Sequence, residues 1–145
     1  MNRLLKFWSL PRCEKQGLCE AGLLLLLSNL CIRTVAFRHI ENFLRTHWQD
    51  SAPRGSDCAN QIKLVKISLE RAANLLPLES LCLSRSITAF VMLRRRGIPA
   101  VFCAGVRFLD DSTMSAHAWV WTGHAATIED NSENPDFTVV LRIGE

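Results

Sequence analysis

Apolar residues crowd the stretch from Cys13 to Thr34, including five successive leucines at Leu23–Leu27, and no proline follows Pro11 to break it. The pattern predicts one long helix. Its apolar positions run nearly all the way round, so burial is expected. A second helical stretch, Phe37 to Trp48, runs into Asp50, Ser51, Pro53, Gly55 and Ser56, which is turn chemistry and the clearest internal boundary. From Asp57, a candidate N-cap, Ile62, Val65, Leu69 and Ala72/Ala73 recur at helical spacing until Pro77 ends the segment. Ser80 offers the next cap. Leu83, Ile87, Phe90 and Val91 then form one face, and Arg94, Arg95 and Arg96 fill the last turn before Gly97.

Beyond Pro99 the texture changes to short β-rich runs: Ala100–Phe108, Ala116–Thr122, Ala125–Glu129 and Phe137–Arg142, with Gly123 and His124 between the middle two. Helices first and strands afterwards indicate an α+β fold, in which the helix beginning near Cys82 packs on an antiparallel meander. The expected organisation is a single domain over residues 1–145, with a helical lead-in at 1–50 and a core region at 57–145.

Composition narrows the function classes. With 145 residues, 48% hydrophobic and 21% charged, the chain is globular rather than disordered or collagen-like, and a net charge of +3 is too small for a strongly basic nucleic-acid binder. The basic excess sits in the first 80 residues, which hold 11 basic and 7 acidic side chains. Six cysteines occur without a C-x-x-C pair, so neither a disulfide scaffold nor a zinc ribbon is indicated, and most should be small buried hydrophobes in a reducing cytosol. The apolar run Ala21–Ile32 is interrupted by Ser28 and Asn29 and closed by Arg33, short of a membrane span. Arg3, Lys6 and Arg12 precede it as in a signal peptide, but Glu14 and Glu20 intrude and no small-x-small cleavage site follows. Stable membrane insertion is therefore not expected; peripheral attachment through Leu23–Leu27 is the weaker alternative to a core helix.

Candidate chemistry begins at Cys82. Two residues after the Ser80 cap, its sulfur falls in a first helical turn, where free backbone N–H groups and the helix dipole favour a thiolate. The same N–H groups are suited to a carbonyl oxygen becoming an oxyanion. A buried cysteine filling a gap fits the same position. Strand alternation puts His117, Trp119 and Trp121 on one face and Ala118 and Val120 on the other, so His117 is either a general base for the thiol or a structural histidine. Trp119 reads as core. Glu129, Asp130 and Asn131 end the next strand, where an acceptor can orient the imidazole from its second nitrogen, although the trio is also an ordinary turn signal. The order carries the weight: cysteine at a helix start, histidine on a strand, carboxylate on the next strand.

Together with Leu76-Pro77, the stretches Cys82-Leu83-Ser84-Arg85-Ser86, Leu93-Arg94-Arg95-Arg96-Gly97-Ile98-Pro99-Ala100, Gly105-Val106-Arg107 and His117-Ala118-Trp119-Val120 carry a resemblance. They resemble the leader peptidases of lasso-peptide biosynthesis, which are transglutaminase-like cysteine proteases. The likeness is close over residues 70 to 142, and Leu10-Pro11-Arg12 before the leucine-rich helix is similar to the lead-in of the same family. It implies a Cys/His/Asp protease without metal or cofactor, acting on a precursor peptide so that a macrolactam-forming cyclase can use the freed amine. Cys82 and His117 match nucleophile and base. Asp130 aligns with the acid, and Glu129 is kept in reserve because the preceding hairpin is about one residue longer than the family's. Arg85, Ser86 and Arg107 belong to the matched pattern, with a helix-to-sheet salt bridge as the first reading of the arginines. The length leaves no residues for a leader-recognition domain, so the split form of the family implies that domain as a separate partner. A transglutaminase-type acyltransferase would use the same triad, and a non-catalytic scaffold is the rival of a different class.

Overall fold

The computed structural model describes residues 8–48, 57–78, 81–123, 127–128 and 137–145. Within them run helices α1 (Arg12–Thr34), α2 (Phe37–His47), α3 (Cys58–Leu75) and α4 (Leu81–Arg95), then strands β1 (Val101–Phe108), β2 (Met114–Trp121), β3 (Thr127–Ile128) and β4 (Thr138–Ile143). The α+β order expected from the sequence is the order found.

Helix ends follow local chemistry. Pro11 stands just outside α1 and its carbonyl accepts from the Lys15 N–H at 3.0 Å. Asp57 occupies the N-cap position of α3, but its side chain does not cap the backbone; it accepts from Asn60 Nδ2 at 2.5 Å instead. At the end of α4, Gly97 adopts φ +70°, its N–H bonds the Arg94 carbonyl, and the Ile98 N–H reaches back to Leu93 O. That pair of bonds closes the helix, and it needs a left-handed residue that glycine supplies without a Cβ clash. The chain then turns directly into β1, and within the sheet α4 packs chiefly against β2.

The expectation that α1 is buried all round is corrected. Only Gly17, Ala21, Leu25 and Asn29 are buried, one stripe at helical spacing, whereas Leu23 is 61% exposed and Leu26, Leu27 and Leu30 are also exposed. The reason is the number of neighbours: α1 packs on α3 and α4 and only lightly on α2, and two helices cannot enclose a third. By length and composition α1 is long and apolar enough to cross a membrane. Its early acids pair with neighbouring helices: Glu14 with Arg71 of α3 at 2.6 Å on the surface, and Glu20 with Arg96 just past the end of α4 at 2.6 Å.

The sheet is antiparallel in the order β3-β2-β1-β4. A simple meander would place the last strand beside β3; instead β4 crosses to the far edge of β1. β1 holds Phe102, Cys103 and Gly105 buried, so an unpaired edge there would strand backbone N–H and C=O groups away from water, and β4 satisfies them. α4 covers one sheet face, with Phe90 meeting Phe102 edge-on at 6.4 Å, and a single apolar core joins Leu25, Leu69, Phe90, Phe102 and Val120. Arg94 bridges helix to sheet: its Nε donates to Ala100 O at 3.1 Å and its Nη2 to Gly144 O at 2.5 Å.

Candidate functional site

Cys82 is the second residue of α4, half-buried in the first turn, where the backbone N–H groups have no partners within the helix. Ser80, the cap expected before it, lies outside the described residues. Polar contacts with α1 hold this end of the helix. Asn29, buried in α1, donates from Nδ2 to Ser84 Oγ at 3.4 Å, and Ser28 Oγ lies 3.3 Å from Thr88 Oγ1. Ser84 is itself fully buried, two residues from the thiol. The leucine-rich helix is therefore the back support of the candidate nucleophile.

Across the sheet, His117 lies in the middle of β2, half-buried, opposite Gly105 of β1. Its ring stacks on Trp119, with centroids 6.0 Å apart and planes at 19°, and lies 5.6 Å from the Phe137 ring. Trp119 is buried, as expected of a core residue. Gly105 makes room for it: a Cβ there would stand 3.1 Å from the indole Cη2 and 3.0 Å from Thr138 O. Arg107, on the same face, holds its guanidinium 4.9 Å above the Phe137 ring. Arg94 ties α4 to the sheet segment through backbone carbonyls, and Arg107 belongs to the aromatic cluster around His117. Ser86, also in the matched pattern, is fully buried in α4. Gly105 is marked in the sequence only as part of the matched Gly105-Val106-Arg107 stretch and Phe137 only as the start of a strand, because neither has a contact to read until the register pairs it.

The levels of the two reactive residues can be compared. The Arg94–Ala100 hydrogen bond fixes where helix and strand are side by side. From Arg94 back to Cys82 α4 rises ~18 Å at 1.5 Å per residue. A strand gains that height in about five residues at ~3.3 Å each. Five residues on from Ala100 is Gly105, the cross-strand partner of His117. This count puts the first turn of α4 at about the level of Gly105 and His117, and equal level alone does not bring the imidazole to the thiol. Alternation puts the His117 side chain with Trp119, and Ala118 and Val120 on the face under α4. Asp130 and Glu129, the two acid candidates, lie outside the described residues; β3 stops at Ile128, immediately before them.

The other cysteines divide differently from expectation. Cys103 is buried, and burial pushes its thiol above its ordinary range, partly opposed by the Arg142 charge. Cys13, Cys19 and Cys31 of α1 are exposed, the last at the rim of an apolar cleft. A largely apolar cleft between α1, α2 and α4, lined among others by Leu24, Leu27, Cys31, Ile40, Phe43 and Ile87, includes neither Cys82 nor His117. It lies apart from the candidate chemistry.

Compared with known proteins, residues 24–142 match a family model described as the transglutaminase-like superfamily. The match begins within α1 and ends within β4, so it takes in the supporting helix as well as Cys82 and His117. No curated protein and no solved structure matches the chain.

Proposed function

The chain belongs to the transglutaminase-like superfamily, and on that footing we propose that it is a cysteine peptidase that removes the leader from a ribosomally synthesised lasso-peptide precursor. What supports this reading is Cys82 in the first turn of α4 and His117 in the middle of β2, both inside the region that matches the superfamily. The close resemblance of residues 70 to 142 to the lasso-peptide leader peptidases supplies the substrate class.

In this mechanism His117 accepts the Cys82 proton, and the thiolate attacks the carbonyl carbon at the leader–core junction. Backbone N–H groups of the first turn of α4 hold the resulting oxyanion. The imidazolium returns its proton to the departing amine, which is the new N-terminus of the core peptide. Water then gives a proton to His117 and attacks the thioester; the leader leaves as its carboxylic acid and the Cys82 thiol is restored. Asp130 accepts from the second imidazole nitrogen and fixes its tautomer, with Glu129 as the alternative acid. A separate leader-recognition protein delivers the precursor, and a cyclase uses the released amine in the cytoplasm.

The test is mass spectrometry of the precursor encoded beside this gene, incubated with the purified protein and its neighbouring leader-binding protein, in parallel with Cys82→Ala. One cut between leader and core, lost in Cys82→Ala, is the expected result. Cleavage that survives in Cys82→Ala overturns the nucleophile, and no cleavage with every partner present turns the reading to a non-catalytic scaffold.

A further inference from the structure

On the α4 face of the sheet, burial falls steadily toward one end. Along β1, Phe102 is fully buried, Ala104 and Val106 are half-buried, and Phe108 is 72% exposed. Along β2, Val120 and Ala118 are buried, whereas Ala116 is exposed and Met114 is 59% exposed. These residues share one face by alternation, and Phe108 stands directly opposite Met114. The cause is a difference in length: α4 begins at Leu81, level with about Gly105, while β1 and β2 run on for three more residues. By the same rise count the sheet outruns its helix and leaves an apolar shelf, Val106, Phe108, Ala116 and Met114, that starts at about the level of the first turn holding Cys82.

The shelf is a made surface rather than a frayed end. β1 and β2 stay paired without a break from Val101↔Trp121 to Phe108↔Met114. The turn beyond them is tied by the Leu109 N–H to Thr113 O at 2.9 Å and by Asp110, whose carboxylate accepts from the Ser112 and Thr113 N–H groups at 2.9 and 2.7 Å. Two large apolar side chains are thus held in fixed register in water. With Asp110 and Asp111 at its tip, the surface suits a chain that is apolar next to the thiol and not acidic beyond it.

We infer that this shelf is the specificity surface of the Cys82 site, holding a bulky apolar side chain of the peptide on the acyl side of the bond attacked. That half of the substrate stays covalently tied to Cys82 through the thioester and so has to be held beside it. Phe108 and Met114 are the residues that choose it. The inference rests on Cys82 being the nucleophile.

Two matched peptidyl chloromethyl ketones test it, identical but for Phe or Ser next to the reactive carbon, with labelling of Cys82 followed by peptide mapping. Mapping separates Cys82 from the exposed Cys13, Cys19 and Cys31. On wild-type protein the Phe probe should label Cys82 about tenfold faster, the lower range for apolar selection because the shelf is open. In Phe108→Ser and Met114→Ser the preference should shrink toward equality, while the rate with iodoacetamide, which needs no shelf, stays as in wild type. Labelling of Cys82 at equal rates by both probes, or a preference that survives in both variants, overturns the shelf and leaves the nucleophile standing. Absence of any labelling at Cys82 overturns the nucleophile itself, and the shelf with it.

Discussion

Gly105→Ala probes the packing that sets His117. The new Cβ would lie 3.0 Å from the Thr138 carbonyl oxygen and 3.1 and 3.2 Å from Cη2 and Cζ3 of Trp119. One of these neighbours is backbone of the paired strand and the other a buried ring, so neither yields freely. Overpacking of this kind costs ~1–3 kcal/mol. Alanine in place of glycine inside a strand recovers ~0.5–1 kcal/mol of chain entropy. The balance is a loss of about 1 kcal/mol, or about 2–4 °C in melting temperature for a chain of this size. Displacement of the indole also moves the imidazole stacked on it, so the proposed peptidase activity should fall more than stability does. The partner variant is Trp119→Phe, whose smaller ring lacks Cη2 and Cζ3. In that background Gly105→Ala should cost less, with a coupling of at least ~0.5 kcal/mol in urea titrations of the four proteins. Additive losses, or a Gly105→Ala protein as stable and active as wild type, would refute the argument that this glycine makes room for the tryptophan.

Two further outcomes follow from burial. On the same helix, Leu25→Ala should cost ~2–5 kcal/mol, because Leu25 is fully buried. Leu23→Ala should stay within ~0.5 kcal/mol, because Leu23 is 61% exposed; equal losses in denaturant titrations would contradict the one-sided packing of α1. The buried Cys103 has a folded pKa above its ordinary value of 9.0. Above about pH 9 the unfolded chain therefore releases this proton while the folded one keeps it, so unfolding binds fewer protons and stability declines with rising pH. Its contribution is full below pH 9 and lost as pH climbs through the raised folded value. Melting curves should show a shallower alkaline decline for Cys103→Ala than for wild type, and parallel curves would argue against the shift.

Much of this was legible in the residues. The run Arg94-Arg95-Arg96-Gly97 marked the end of α4 because only glycine takes the left-handed closing position cheaply, and that requirement is local. The alternation in Ala116–Trp121 separated His117 and Trp119 from Ala118 and Val120, and Cys82 fell in a first turn by counting. These features depend on backbone geometry within a few residues, which sequence spacing encodes directly. The α+β order was readable for the same reason.

What tertiary structure decided is who lies beside whom. Leu23 and Leu25 are the same residue type two positions apart, yet one is in water and the other in the core, because α3 and α4 approach only one side of α1. The final strand reads alike whether it joins β3 or β1; the unpaired backbone of a buried β1 settled the choice. Gly105 acquired its importance from an indole arriving from the neighbouring strand. Phe108 and Met114 stand exposed because α4 starts three residues short of the sheet's end, a mismatch of lengths between separate elements. The sequence by itself determined the elements and the chemical order of the candidate site, since those are set by short-range sterics and periodicity; the neighbours, levels and uncovered faces came from packing between elements, where apolar surface finds cover only as far as another element reaches.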